Sequence, residues 1–427
     1  MIMQSLRGTY DILPEEIIYW NSVQKQAEAL LINANYKQIQ TPLIETKELF
    51  ERSVGEGTDI VHKEMYSFED QGGRKITLRP EGTASIARCF IEKKLYTQNT
   101  IQKLWYFGPM FRYERPQSGR QRQFHQLGIE CLGIQDARAD AEVISIAFNL
   151  LSNLNVGDFS LEINSIGNSQ DRAKYKEELV KYLKKHENSL DKDSKVRLSI
   201  NPLRILDSKD KKTQEILNTA PQLSNFLGEK SRQHFENLCV YLNCLNIPYN
   251  LNSKLVRGLD YYSDTAFEFK TKLLGSQDTI CGGGRYDKLI DSLGGPFTPA
   301  VGWAIGIERL LLLIKQNTSL NFKNLDYYIA AENSMLCKIE SIILFNELLK
   351  NNCRAEIDSL PGSLKKKITR CHKIQSNYCI IIGENEVKNG TIIIRNMLTK
   401  EQIACTREEF INNKIAKHKT LIAKNQI

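Results

Sequence analysis

At 427 residues, with 41% hydrophobic and 25% charged positions, the chain can bury two or three cores and has the balance of an ordinary globular protein. That excludes wholesale disorder and a fibrous chain. The formal net charge of +8 is unevenly spread: from Asp326 onward 12 Lys and 4 Arg stand against 11 Asp and Glu, so +5 lies in the C-terminal segment. Such a basic module suits a polyanionic partner, and a solvated lysine-rich surface accounts for the same charge.

The first 160 residues mix helical and strand patterns. Positions 15–33 carry Ile17, Ile18, Trp20, Val23, Ala27, Leu30 and Leu31, a helical stripe. Strands are expected at 76–78, 104–114 and 124–132, with a helix over 83–94, and the last two strands form an antiparallel hairpin around a polar loop. Lysine-rich helical sequence at about 168–250, broken at Pro202, Pro221 and Pro248, reads as an insertion into a β-rich domain, because strand sequence returns at 266–270. A linker is expected at 315–323, dividing 1–324 from 325–427. In the second part, apolar runs at 327–330, 378–382 and 391–394 alternate with helical segments, an α/β pattern.

Ten cysteines occur singly, without a CxxC pair or zinc-ligand spacing, so no protein-ligated structural metal is expected. Cys239 and Cys244 read as two buried thiols on an apolar helix. There is no signal-peptide succession, and the apolar run 310–314 is too short for a bilayer. The expectation is a reduced, cytoplasmic protein with no membrane partner.

On the hairpin, period-two alternation puts Tyr106, Gly108, Met110, Arg112 and Glu114 on one face, with Gln126, Gly128 and Glu130 beside them on the return strand. Trp105, Phe107, Phe111 and Tyr113 form an aromatic opposite face. The polar face is either a solvated sheet surface or a ligand site. The loop favours a ligand: Arg115, Arg120 and Arg122 are guanidinium forks suited to phosphate oxygens.

Phe111-Arg112-Tyr113-Glu114-Arg115-Pro116 and Arg122-Gln123-Phe124-His125-Gln126-Leu127-Gly128 closely resemble motif 2 of class II aminoacyl-tRNA synthetases, in the form found in the histidyl-tRNA synthetase family. Leu255-Val256-Arg257-Gly258-Leu259-Asp260-Tyr261-Tyr262 and Leu78-Arg79-Pro80-Glu81-Gly82-Thr83 resemble that family's own signatures. Thr41-Pro42 with the following helix resembles motif 1, the segment with Gly306, Glu308 and Arg309 resembles motif 3, and Arg7-Gly8-Thr9-Tyr10-Asp11 resembles the family's amino terminus. The tail, with Gly362-Ser363-Leu364-Lys365-Lys366 and Ile382-Gly383-Glu384, is similar to its anticodon-binding domain.

The resemblance implies an α+β chain: an antiparallel-sheet catalytic domain flanked by helices, a helical insertion, and a C-terminal α/β anticodon-binding domain. It implies that L-histidine is activated by ATP to histidyl-adenylate and pyrophosphate, then transferred to the 3′ end of tRNA(His). Arg112 and Arg257 would be catalytic at the α-phosphate and also border the histidine, with Arg257 supplying a charge where related enzymes use a metal ion. Arg257 as a plain salt-bridge residue is the competing reading. Arg309 would cover the adenine and γ-phosphate region, Arg120 would be a further triphosphate clamp, Glu114 would read the adenine amino group, and Mg2+ would arrive on the ATP.

For histidine, the resemblance implies Glu81, Thr83 and Gln126 around the ammonium, with Glu130 and the Tyr262 hydroxyl on the imidazole nitrogens. Gly128 would leave the floor of the slot open, and Tyr261 with Gly283-Gly284-Arg285-Tyr286 would wall it. Arg115 and Gln117 would meet the acceptor end of the tRNA, including its extra 5′ guanosine. Lys365, Lys366, Lys367 and Arg370 are either phosphate contacts or an exposed helix face. Motif 1 implies a homodimer. The alternative is a catalytically inert synthetase-like regulatory subunit of ATP phosphoribosyltransferase, a class that loses motif arginines and lacks the anticodon domain. Here Arg112, Arg257 and Arg309 are present and a C-terminal module follows.

Overall fold

The computed structural model describes residues 3–55, 58–275, 278–320 and 324–412. It divides into two compact units, Met1–Leu320 and Asn321–Ile427.

In chain order the strands of the first unit are β1 (Lys37–Gln38), β2 (Ile44–Thr46), β3 (Ser67–Glu69), β4 (Lys75–Leu78), β5 (Gln102–Phe111), β6 (Gln123–Leu132), β7 (Ser160–Ser165), β8 (Asn250–Leu251), β9 (Ser263–Lys270), β10 (Thr279–Arg285) and β11 (Ala300–Gly306). Eight form one sheet in the order β1-β5-β6-β11-β10-β9-β7-β8, and β2-β4-β3 form a small second sheet. The pairs from β5 through β7 across the large sheet are antiparallel, and the two-residue strands β1 and β8 add parallel edges.

Alternation along these strands splits the large sheet into two chemically distinct faces. Trp105, Leu127, Ile129, Phe267, Trp303 and Ile305 point into the main core, closed by the helices Pro14–Asn33, Ala137–Asn153, Glu229–Cys244 and Ile307–Asn317. The buried Trp303 indole donates to the Val143 carbonyl at 2.9 Å. The residues between them, including Gln126, Gly128 and Glu130, therefore face the other way.

The hairpin is shorter than its sequence pattern suggests. Strand β5 ends at Phe111, so Arg112 and Glu114 belong to the loop, and Tyr113 is 53% exposed rather than part of an aromatic core. The cause is local: Arg122 lies over the Tyr113 ring at 3.8 Å and gives its own N–H to the Gly8 carbonyl.

The inserted helices Ser169–Lys185, Lys192–Ile200 and Lys211–Leu217 surround a separate cluster that includes Tyr175, Leu179, Ile205 and Leu217. Glu229–Cys244, inside the expected 168–250 insertion, instead sends Leu238 and Leu242 into the main core. Cys239 on this helix is half-buried and Cys244 exposed, which corrects the expectation of two buried thiols. Residues 315–317 of the expected linker belong to the helix Ile307–Asn317, where Lys315 pairs with Glu16; residues 321–323 lie outside the described residues. Among the described residues no helix is long and apolar enough to cross a membrane.

The second unit carries β12 (Tyr327–Ala331), β13 (Ala355–Ile357), β14 (Tyr378–Ile382), β15 (Thr391–Asn396) and β16 (Gln402–Thr406), ordered β13-β12-β14-β15-β16. The first three are parallel and the last two antiparallel. On the helix Leu364–Ile374, Lys367 is buried and donates to the Ala331 carbonyl at 2.9 Å, while Arg370 grips Asp358 at 2.7 and 2.8 Å. Both are thus structural in this unit, and Lys365 and Lys366 are the exposed cations of that group. Lys414, Lys417, Lys419 and Lys424 fall outside the described residues.

Arg285 also departs from expectation. It points away from the polar face into a buried pair with Asp140, and the two side chains are 1% and 0% exposed. Burial opposes the Asp140 charge, yet Arg285 and His234 hold its carboxyl down to about 2. Removing one partner strands a desolvated charge. Asp140→Ala is therefore expected to destabilise the first unit by about 3–5 kcal/mol, read as a lowered urea midpoint for the loss of its tryptophan fluorescence.

Candidate active site

Cross-strand register builds the floor of the site. On β6, Gln126 is flanked by Gly108 and Gly306, Gly128 by Tyr106 and Ala304, and Glu130 by Leu104 and Gly302. Small residues beside two long polar ones leave room above the sheet, in an open cleft of about 1000 Å³ including its mouth. Gly302 is obligatory, since a Cβ there would fall 2.0 Å from a Glu130 carboxylate oxygen.

Gly128 does not leave the floor open. The Tyr106 ring and hydroxyl fill the space above it, 2.4 Å from where a Cβ would stand. Alternation places Tyr106 on this face without giving it a role, and its pairing opposite Gly128 in the hairpin is what lets it fill the slot.

Glu81, Thr83, Gln126 and Glu130 converge at one end of the cleft. Glu81 precedes the helix Thr83–Glu92 and accepts from the backbone N–H groups of Thr83 and Ala84 at 2.7 and 2.8 Å, a helix N-terminus interaction. The Thr83 hydroxyl donates to Glu130 at 2.6 Å, and the Tyr286 hydroxyl donates to the other Glu130 oxygen. Tyr286 thus does more than wall the slot. The Gln126 amide oxygen and the Tyr106 hydroxyl are buried without a hydrogen-bond partner. Tyr261, Tyr262 and Tyr286 enclose this end, with ring centroids 4.6 to 6.4 Å apart.

The cleft also carries cations. Arg112, Arg120, Arg257 and Arg309 all line it. Arg112 Nε donates to the Pro80 carbonyl at 2.9 Å, and Glu114 lies 3.0 Å from Arg120 and 3.9 Å from Arg112. Arg309 Nη1 donates to the Thr279 carbonyl at 2.9 Å. Burial, with the like charges of Arg120 and Arg112, pulls its guanidinium below the ordinary value. Beside it, Glu308 accepts from the His125 N–H at 2.9 and 3.0 Å, tying the helix to β6. Arg257 pairs with Glu268, so it is both a salt-bridge residue and a pocket residue. Gly282 makes that possible, since a Cβ would sit 2.3 Å from the guanidinium. Glu268 was not anticipated from the sequence. Arg115 and Gln117 are exposed on the loop, outside the cleft.

An antiparallel sheet carrying this cleft, with the motif 2 hairpin and motif 3 helix in place, is the catalytic architecture of the class II aminoacyl-tRNA synthetases. A family model described as histidyl-tRNA synthetase matches residues 8–310, and one described as an anticodon binding domain matches 339–417. The chain belongs to the histidyl-tRNA synthetase family. It is 52% identical over 427 residues to a protein of Porphyra purpurea named histidine–tRNA ligase, chloroplastic, covering 99% of this chain and 98% of that one. It is 51% identical over 411 residues to the histidine–tRNA ligase of a Cyanothece strain, covering 96% and 95%. The crystal structure of apo S. aureus histidyl-tRNA synthetase superposes with a TM-score of 0.81 at 36% identity, covering 96% of this chain and 99% of that one.

Burial, with a smaller contribution from Glu81, raises the Glu130 carboxyl to about 8 despite the Thr83 and Tyr286 hydroxyls, which pull it down. A carboxyl raised on folding binds its proton more tightly in the native state. Its stabilising contribution is thus complete below about 4.5, the unfolded value, and is lost as pH rises through about 8. Glu130→Gln removes that proton and is expected to flatten the fall in melting temperature between about pH 5 and 8; a fluorimetric melting series across that range tests it.

Proposed function

We propose that this chain is a histidine–tRNA ligase, activating L-histidine with ATP and passing the histidyl group to tRNA(His). The observation that carries this reading is that one cleft is lined by two sets of side chains, the carboxylates of Glu81 and Glu130 and the guanidiniums of Arg112, Arg120, Arg257 and Arg309. The first suits a cationic amino acid, and the second a triphosphate. Retention of Arg112, Arg257 and Arg309 with a C-terminal module also favours the ligase over a regulatory subunit.

In this reading the histidine ammonium lies against Glu81, Thr83 and the unpartnered Gln126 oxygen. Glu130 takes an imidazole N–H, with the Tyr262 hydroxyl at the second nitrogen and Tyr261 enclosing the ring. The histidine carboxylate attacks the α-phosphorus in line, and the bond to the departing pyrophosphate breaks. Arg112 and Arg257 stabilise the charge that develops on the α-phosphoryl oxygens. Arg120 and Arg309 hold the β- and γ-phosphates, Glu114 meets the adenine amino group, and Mg2+ comes with the nucleotide. The terminal ribose hydroxyl of the tRNA then attacks the activated carbonyl, releasing AMP.

Arg115 and Gln117, exposed on the motif 2 loop, are proposed for the acceptor end, and Lys365 and Lys366 for phosphates near the anticodon. A homodimer is proposed through the motif 1 segment, where Leu43 and Ile44 are 39% and 50% exposed. A cytoplasmic location is supported by ten unbridged cysteines, the state that a reducing compartment maintains.

The test is ATP–pyrophosphate exchange with each amino acid, followed by charging of purified tRNA. Exchange with histidine alone plus charging is expected; histidine binding without exchange indicates a regulatory subunit. Glu130→Ala is expected to lose histidine-dependent exchange, by roughly 10⁴-fold where a buried polar match is broken, while retaining ATP binding. Near-normal exchange in that variant sinks the assignment of the histidine slot.

A further inference from the structure

The loop that carries Arg257 is held from two sides, by the catalytic sheet and by the inserted helices. Lys254 reaches across to the Gln214 and Asn218 side chains, at 2.8 and 2.7 Å. Val256 packs against the insertion's apolar cluster as well as against the tyrosine cluster of the cleft. Asn201, at the end of the helix Lys192–Ile200, donates to the Asp260 carboxylate at 2.9 Å. Arg172, from the helix Ser169–Lys185, donates to the Tyr262 carbonyl at 2.8 Å and to the Gly167 carbonyl at 3.0 Å. From the catalytic sheet, Asn164 holds the Leu255 carbonyl at 2.9 Å, and the Asp260 N–H bonds the Val54 carbonyl at 3.1 Å.

Three of the loop's polar anchors, at positions 254, 260 and 262, thus come from an element with its own hydrophobic cluster. Between them stands a guanidinium whose Nε is buried without a partner and whose other end pairs with Glu268. Its position is therefore set jointly by Glu268 at its tip and by the backbone of the loop at its base. We propose that the helical insertion positions Arg257 for the activation step, with Asn201, Arg172 and the Gln214–Asn218 pair as positioning residues that act through the 254–262 loop. None of them lines the main cleft. Their effect is therefore on where the Arg257 charge lies, and a displacement of about 1 Å at a reacting centre is worth up to ~10²-fold in rate.

The inference rests on the proposed ligase reading, and the experiment separates the two. Histidine-dependent ATP–pyrophosphate exchange is measured for the full-length wild type, Asn201→Ala, Lys254→Met and the double variant, each also in an Arg257→Ala background. In the Arg257-containing series kcat is expected to fall about tenfold with the KM for ATP unchanged. In the Arg257→Ala background the same substitutions are expected to have almost no further effect, the non-additivity of groups acting through one another. Full, multiplicative losses in both backgrounds, or an unchanged kcat in both single variants, overturn the proposal. The two variants loosen opposite ends of the loop, and an unchanged KM for ATP certifies a folded site in either. If the wild type itself shows no histidine-dependent exchange, it is the ligase reading that fails.

Discussion

The structure is organised around a carboxyl group buried at the centre of a β-sheet. Glu130 is 1% exposed, near the C-terminal end of β6, and its cross-strand neighbours are glycine on one side and leucine on the other. An isolated carboxyl there is costly, and the surroundings answer the cost in two ways. Two hydroxyls, from Thr83 and Tyr286, bond its oxygens, and the raised proton affinity lets it remain neutral when no cation is present. Both hydroxyls sit on separate elements, a helix N-terminus and the end of β10. The requirement to satisfy one side chain therefore fixes the relative placement of three segments distant in sequence.

The same logic orders the arginines. Four guanidiniums in one cleft repel one another, and the effect is visible in Arg309, whose charge is disfavoured by burial and by Arg112 and Arg120. Glu114 and Glu268 divide the remaining strain by bracing Arg112 with Arg120 and Arg257 respectively. These internal pairs tie Arg112, Arg120 and Arg257 to fixed carboxylates within the cleft. The net charge of the chain carries no trace of this arrangement, because it sums over 58 Lys and Arg and 50 Asp and Glu.

What was legible in the sequence follows from this. Local periodicity sufficed for the hairpin, the helix after Glu81 and the placement of Gln126 and Glu130 on one face, since these depend on backbone geometry within a few residues. The motif resemblance gathered the arginines. Partners across the sheet were not legible from one strand at a time. Gly128 looked like empty space until Tyr106 was seen opposite, and Arg285, read as a wall of the slot, turned out to neutralise Asp140 on the far side of its strand. Lys367 misled for a related reason: in a run of three lysines on a helix, about 100° of rotation per residue sends one of them inward.

The insertion shows why such failures cluster near function. Periodicity marks 168–250 as helical but cannot say which helix belongs to which core, and the division falls inside the segment: Leu238 and Leu242 serve the main core, while Tyr175 and Leu217 serve the inserted cluster. The inserted module has its own apolar centre, and its polar contacts with the 254–262 loop connect it to the segment that carries Arg257. Arg257 stands on a loop held from both the insertion and the sheet, while Gln126 and Glu130 stand on a strand inside the sheet.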